Sequence, residues 1–258
     1  MSKFLRFFVT LFVGTVIASI YNNSVAYCNS IDIILDNAMV VGHTADIIYV
    51  SDEKEVRKEI IKALKKHKNS ITLYYPGIVE RFMNYRNNAY SDFFERLSID
   101  NGYYMGILSG YCVDIDEDGV TFQFNYLTTK KQERYICKTA KKIAKRYRKK
   151  STYEKVKGAH DYLTAHMVYD DRYYNPYYAF KSGRGLCMSY ALAFQRILQE
   201  MNIPCIYVKG EYHAWNMVKL KGRWYGVDVT WDDDDSNSYI GYWFYNKSDS
   251  NIKKYDGT

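Results

Sequence analysis

The sequence predicts an α+β protein in which helices pack on antiparallel strands. Its 258 residues are 47% hydrophobic and 25% charged, which supplies enough apolar material for a core and excludes a disordered chain. Apolar residues recur at helical spacing in several segments. Two pairs of strand-like runs are separated by the turn sequences Asp118-Gly119 and Lys221-Gly222, which are typical of hairpins and so of antiparallel pairing.

Residues 1–26 are predicted to be a secretion signal. Lys3 and Arg6 form a basic start, residues 7–20 are a 14-residue apolar run, and Ser24-Val25-Ala26 is a small-x-small cleavage pattern. The run is shorter than the roughly 20 residues that a membrane-spanning helix needs. We therefore expect cleavage after Ala26 and a mature chain that is secreted or associated with the cell envelope, with an uncleaved membrane anchor as the alternative.

Residues 27–128 are expected to form a small mixed α/β region to which no motif assigns a role. Ser51 or Asp52 can cap a helix, because their side-chain oxygens accept the free N–H groups of a first turn. The remaining apolar runs predict a second helix over 91–97 and strands over residues 47–50, 71–75, 103–115 and 120–127.

Two acidic runs could be taken for ion sites. Residues 114–119 match the D-x-D-x-D-G opening of a calcium loop, but its twelfth position holds Asn125 instead of the required glutamate. We expect a hairpin turn there and a solvated loop at residues 232–235. No metal site and no cofactor are predicted.

The five cysteines exclude two further kinds of site. No C-x-x-C pair is present, so zinc binding and thioredoxin-like redox chemistry lack their spacing. An odd number in a secreted chain leaves at least one thiol unpaired, which suggests another role for that thiol. The sequence leaves the pairing of the others open.

Positive charge is concentrated in residues 130–157, which carry 13 basic and two acidic side chains. The apolar residues Ile136, Ala140, Ile143 and Tyr147 recur at three and four positions, so this segment is predicted to be an amphipathic helix with a cationic face. Such a face is either simply solvated or attracted to an anionic cell-envelope polymer or membrane surface. We expect no nucleic-acid partner for a secreted chain.

Residues 129–258 hold the residues that point to chemistry. A helix is predicted from a cap at Ser151, with His160 as a hydrogen-bonded core histidine, and a second helix over 186–201. Cys187 then lies in the first turn of that second helix, directly after Gly185-Leu186. There the unpaired backbone N–H groups and the helix dipole favour a thiolate, and the same groups can donate to an oxyanion.

The hairpin around Lys221-Gly222 is expected to bring a base and a carboxylate together. Its register places residue 220 opposite 223 and residue 215 opposite 228, so His213, Trp215 and Asp228 share one face. A thiol, an imidazole and a carboxylate are the nucleophile, base and orienting group of acyl-transfer enzymes. We therefore predict Cys187, His213 and Asp228 as catalytic residues, with Trp215 either lining the site or packing the sheet.

Three ordered blocks, residues 185–191 (GLCMSYA), 213–216 (HAWN) and 224–232 (WYGVDVTWD), resemble the signature of the bacterial transglutaminase-like domain. The resemblance covers residues 126–248 and implies the same three catalytic positions. It also implies a papain-like α+β core, in which the cysteine-bearing helix packs on an antiparallel sheet. Ser189 stands where the family often has glycine, and the side-chain oxyanion donor is not assigned, with Tyr177, Tyr178 and Asn175 in the relevant loop.

The expected function is that of a secreted transglutaminase-like cysteine acyltransferase or peptidase acting on protein or peptide amides through a thioester. A glutamine-type amide would be the donor, and a lysine amine or water the acceptor. The alternative is a non-catalytic envelope-binding or assembly module that retains the fold. Neither the substrate nor the oligomeric state follows from the sequence.

Overall fold

The structure is a computed structural model, and it describes residues 47–83, 89–116, 118–210, 212–233 and 240–247, together with the backbone of two strands at 17–21 and 24–29. The chain forms two compact units. Of the described residues, one unit holds 17–97 and 108–127, and the other holds 98–107 and 128–247. The sequence-based boundary at residue 128 stays a prediction, and residues 98–107 group with the C-terminal unit.

The first unit is built on a six-stranded sheet. Its spatial order is β1 (Ile17–Tyr21), β2 (Ser24–Asn29), β5 (Leu108–Asp116), β6 (Gly119–Tyr126), β4 (Ser70–Tyr74) and β3 (Ile47–Tyr49). Only the pairing of β3 with β4 is parallel within these described strands. The β5–β6 hairpin forms as predicted, with Asp116 opposite Gly119. The rest of the predicted leader lies outside the described residues.

Helices of this unit follow the sequence patterns in part. Asp52 caps α1 (Glu53–Lys65) by accepting the Glu55 N–H at 2.8 Å, which confirms the predicted cap. A short helix, α2 (Ile78–Met83), is present in the structure but was not predicted from the sequence.

The strand predicted over residues 103–115 begins too early. Residues 89–106 form one helix, α3 (Ala89–Gly106), with non-helical backbone at Asn101, and the strand starts at Leu108. Tertiary packing explains the difference. Tyr103 is fully buried with its hydroxyl bonded to Glu133, and a Cβ on Gly106 would lie 2.6 Å from the Leu192 side chain. Such contacts override a local preference for strand.

The second unit packs helices around one central helix on a four-stranded antiparallel sheet. The helices are α4 (Lys130–Arg146), α5 (Thr152–Thr164), α6 (Pro176–Lys181) and α7 (Cys187–Glu200). The sheet has the order β12 (Tyr245–Lys247), β11 (Arg223–Val227), β10 (Ala214–Leu220) and β9 (Cys205–Lys209). Helix α7 contacts α4, α5 and α6 as well as β9 and β10. The predicted α+β core, a cysteine-bearing helix on an antiparallel sheet, is confirmed.

The basic segment at residues 130–157 is not one helix. Helix α4 ends at Arg146 with Tyr147 as its C-cap, and α5 starts afresh after Ser151. Ser151 and Glu154 form a capping box, in which each side chain accepts a hydrogen bond from the other's backbone N–H. Ile136, Ala140 and Ile143 are buried as predicted, and the lysines of α4 at positions 138, 141, 142 and 145 are exposed.

Within the described part of the chain, no helix is long and apolar enough to cross a membrane. Cys112 is disulfide-bonded, and Cys28 lies opposite it in the β2–β5 register. Cys137, Cys187 and Cys205 are free. One of the free thiols is therefore the one at the start of α7.

Candidate active site

The loop before α7 is built to present Cys187. Two short strands, β7 (Val168–Tyr169) and β8 (Arg184–Gly185), pair in parallel just ahead of the helix. A Cβ on Gly185 would lie 2.4 Å from the Ser189 Cβ, closer than such atoms approach, so only glycine fits. Ser189 donates its hydroxyl hydrogen bond to the Tyr173 carbonyl at 2.8 Å, which ties the first turn of α7 to the preceding loop.

The start of α7 leaves backbone donors available. Leu186 is its N-cap residue, and the Leu186 side chain makes no capping hydrogen bond, as an apolar side chain must. The Ser189 N–H donates to the Leu186 carbonyl at 2.8 Å, whereas the N–H groups of Cys187 and Met188 have no partner within the helix. Cys187, which is partly buried, therefore lies at the positive end of a 14-residue helix.

His213 joins the thiol to a carboxylate. The His213 Nε2 atom lies 2.6 Å from Asp228 Oδ2, and the His213 side chain also hydrogen-bonds with Cys187. Since Nε2 is taken by Asp228, Nδ1 is the nitrogen left for the thiol. The structure thus brings all three predicted site residues together: Cys187 at the start of α7, His213 just before β10 and Asp228 just after β11.

The carboxylate of Asp228 is itself fixed. Its Oδ1 atom accepts hydrogen bonds from the backbone N–H groups of Thr230 at 3.0 Å and Trp231 at 3.1 Å. This turn, of the kind that aspartate side chains form with their own backbone, ends β11 at Val227. The strand predicted to run to Trp231 is therefore shorter, although the predicted register holds from Leu220 opposite Arg223 onward.

The environment of His213 stabilises its charged form. Burial is the largest single influence and opposes the charge, but the hydrogen bonds with Asp228 and Cys187 outweigh it and raise the pKa of His213 to about 9. An imidazole with this pKa is an imidazolium at neutral pH.

Aromatic rings cover His213. The Trp231 ring stacks on the imidazole with centroids 4.5 Å apart and planes 8° from parallel, and it is 41% exposed. Trp215 is instead buried with Ile206 and Met217 on the sheet face opposite α7, with its centroid 6.1 Å from that of His213. Trp215 therefore packs the sheet, and Trp231 is the tryptophan that borders the reactive groups.

Two tyrosines near the thiol were not predicted. Burial, and after it the negative charge of Cys187, raises the pKa of both Tyr207 and Tyr169. The Tyr207 hydroxyl is buried without a hydrogen-bond partner in the described part of the chain. The sequence contains only a weak signal for Tyr207. In the structure Tyr207 lies opposite Asn216, and the Asn216 side-chain amide donates to the Ala191 carbonyl of α7.

The loop residues considered as oxyanion donors are used otherwise or unassigned. Asn175 is buried and caps α6, where its side-chain oxygen accepts the Tyr177 N–H at 3.1 Å. The rings of Tyr177 and Tyr178 pack edge to face at 5.3 Å.

Asp232 contradicts the prediction of a solvated acidic loop. Its side chain is fully buried, and its Oδ2 atom lies 3.2 Å from Nε2 of the equally buried His160. Residues 234 and 235 of the same run lie outside the described residues. Among the residues described, no group of three or more His, Cys, Asp or Glu side chains is arranged to hold a metal ion.

Residues 138–229 match the transglutaminase-like superfamily. The match covers 92 of the 258 residues. The match contains Cys187, His213 and Asp228 and ends one residue beyond the last of them. No curated protein matches the chain.

Two solved structures are similar to parts of the chain. One, a TGase, is 13% identical, has a TM-score of 0.38, and covers 57% of this chain and 49% of its own. The other, from Cytophaga hutchinsonii and provisionally assigned as a cysteine protease, is 14% identical, with a TM-score of 0.33 over 46% of this chain and 56% of its own. The chain thus spans about half the length of each.

Proposed function

We propose that the protein is a cysteine enzyme that acts on protein or peptide amides through a thioester on Cys187. The hydrogen-bonded series from Cys187 through His213 to Asp228 is the observation that carries the proposal. It supplies a nucleophile, an acid and base, and a group that orients the base.

In the proposed reaction the Cys187 sulfur attacks the carbonyl carbon of the amide. The imidazolium of His213 gives its proton to the leaving nitrogen, the C–N bond breaks, and ammonia or an amine departs. The backbone N–H groups at the start of α7 stabilise the oxyanion of the intermediate. A lysine amine or water then loses a proton to His213 and attacks the thioester, which breaks the C–S bond and restores the sulfur anion.

A paired assay tests this proposal. The full chain is incubated with a glutamine-containing peptide in the presence and absence of a primary-amine probe, and mass spectrometry scores incorporated probe, free acid and cleaved peptide. Thiol-dependent incorporation supports transglutaminase chemistry, and hydrolysis alone supports a peptidase or amidase. Cys187→Ala is the inactive variant, with Cys205→Ala as a matched control, since Cys205 lies away from His213 in a buried strand. Equal product from wild type and Cys187→Ala would refute the proposal.

We further propose that the enzyme works outside the cytoplasm. The basic and apolar leader pattern and the disulfide at Cys112 support this, because disulfides persist in oxidising compartments. Cleavage after Ala26 would remove β1 and the first three residues of β2 from the sheet. N-terminal sequencing of exported protein tests the site, with Tyr27 as the expected first residue.

The exposed face of α4 supports a second proposal about partners. Lysines at 138, 141, 142 and 145 project from this helix and have no acidic neighbour on the same face. We propose that this face associates with an anionic cell-envelope polymer. Co-sedimentation with lipid-free anionic polymer should fall when these lysines are replaced by glutamine, and it should weaken with added salt. Unchanged sedimentation of the variant would exclude this face.

A further inference from the structure

The segment that carries Asp228 and Trp231 is closed on itself by backbone hydrogen bonds. The Asp228 N–H donates to the Phe244 carbonyl at 3.1 Å, and the Asp232 N–H donates to the Asp228 carbonyl at 3.2 Å. The Phe244 N–H in turn donates to Asp232 Oδ1 at 2.8 Å. Asp232 thus holds both ends of the segment, and its position helps to set the position of the Asp228 carboxylate.

The remaining oxygen of Asp232 faces a histidine that has no access to solvent. His160 Nε2 lies 3.2 Å from Asp232 Oδ2, and His160 Nδ1 lies 3.1 Å from Asp161 Oδ1. A carboxylate oxygen can only accept hydrogen bonds, so both ring nitrogens act as donors and the ring carries a positive charge. Removing this charge would leave the Asp232 carboxylate buried without its counter-ion.

The groups around His160 all favour that charge. From α5, Asp161 faces the ring and is held at 2.5 Å by Lys157. From the C-terminal segment, Tyr242 donates to Asp161 at 2.8 Å and stacks on the imidazole, while Tyr245 packs against the ring with centroids 4.9 Å apart. Burial opposes the charge, but the bonds to Asp161 and Asp232 outweigh it and raise the pKa of His160.

We infer that His160 is a positioning residue for the reaction, acting through Asp232 on the segment that holds Asp228 against His213. This inference rests on the proposed function and extends it to a buried group with no contact to substrate. It gives the core histidine and the aspartate that ends the third signature block one shared role. A displacement of about 1 Å at a reacting group can cost about 100-fold in rate.

The test replaces His160 in the full chain and follows His213. His160→Phe keeps a ring but removes both donors, and His160→Gln keeps one donor without the charge. His166→Phe is the matched control, because His166 follows the same helix, is exposed, and its ring bonds to and stacks on Tyr162. We expect His160→Phe to lower kcat by about 10- to 100-fold with KM little changed, and His160→Gln to be intermediate. The alkaline limb of the pH profile should move to lower pH in both.

A second readout does not depend on turnover. NMR titration of the His213 imidazole should show its pKa falling in His160→Phe and unchanged in His166→Phe. If His160→Phe does not fold, the same titration is measured on His160→Gln. A lower melting temperature with an unchanged His213 titration would refute the inference and leave His160 a purely structural residue. An inactive wild type would instead refute the proposed function, while the His213 titration would still decide the role of His160.

Discussion

Replacement of Asp228 by asparagine tests the reactive pair most directly. The asparagine keeps the size of the side chain, and its oxygen can still accept from Thr230 and Trp231. It cannot, however, stabilise a positive ring at 2.6 Å as a carboxylate does. The change therefore removes charge while leaving the turn that ends β11 in place.

The size of the effect of Asp228→Asn can be worked out from the pKa of His213. Its pKa is raised from 6.5 to about 9, although burial opposes the charge. Each pKa unit corresponds to about 1.4 kcal/mol, so the surroundings favour the charged ring by about 3 kcal/mol. Because the pKa is raised on folding, this contribution is fully present below pH 6.5 and is lost as the pH rises through about 9.

Without the Asp228 charge, burial lowers the pKa of His213 and only the bond with Cys187 raises it. The pKa of His213 should therefore fall towards its ordinary value. In the wild type we expect kcat/KM to decline above pH 9, and in Asp228→Asn the decline should begin near neutral pH. Changing the orienting aspartate of a catalytic triad typically lowers kcat about 10⁴-fold. Asp171→Asn is the control, since Asp171 is exposed and lies in the loop after β7.

The assay is kcat/KM for amide hydrolysis or amine incorporation between pH 5 and 10, with urea unfolding at pH 6 and pH 10. The wild type should lose unfolding free energy at the higher pH, and Asp228→Asn should lose less. If the alkaline limbs of Asp228→Asn and wild type coincide, His213 does not depend on Asp228 and the reasoning fails.

Three further outcomes are expected. Gly185→Ala places a methyl 2.4 Å from the Ser189 Cβ, so the loop before Cys187 must shift, and kcat should fall more than the melting temperature does. Ser151→Ala removes the cap of α5 and should lower the free energy of unfolding by about 1 kcal/mol in urea titration, without changing KM. Burial raises the pKa of Cys205, so iodoacetamide should label Cys187 in the folded chain and Cys205 only after unfolding, as peptide mass spectrometry would show.

The elements that sequence predicted well are those whose signals are local. The capping residues Asp52 and Ser151, the start of α7 at Cys187 and the hairpin register at Lys221-Gly222 all depend on neighbours a few residues away. Each satisfies its own backbone groups, so the pattern of side chains is enough to place it.

Features that sequence missed depend on partners far along the chain. The helical state of residues 103–106 reflects the burial of Tyr103 beside Glu133, about 30 residues later. The buried state of Asp232 depends on His160, 72 residues earlier, whereas its own neighbours predict a solvated run. The shared face of His213 and Asp228 was predicted from strand alternation, yet both lie just outside the strands. Their contact depends on the turn that Asp228 makes with its own backbone.

The short chain separations among the reactive groups bear on how the domain folds. Only 15 residues separate His213 from Asp228, and Cys187 precedes His213 by 26 positions. Closing loops of this length costs little conformational entropy compared with long-range pairing. The helix and hairpin that bear these groups therefore form a low-contact-order nucleus, which would assemble early on the folding pathway and retain its register through later steps.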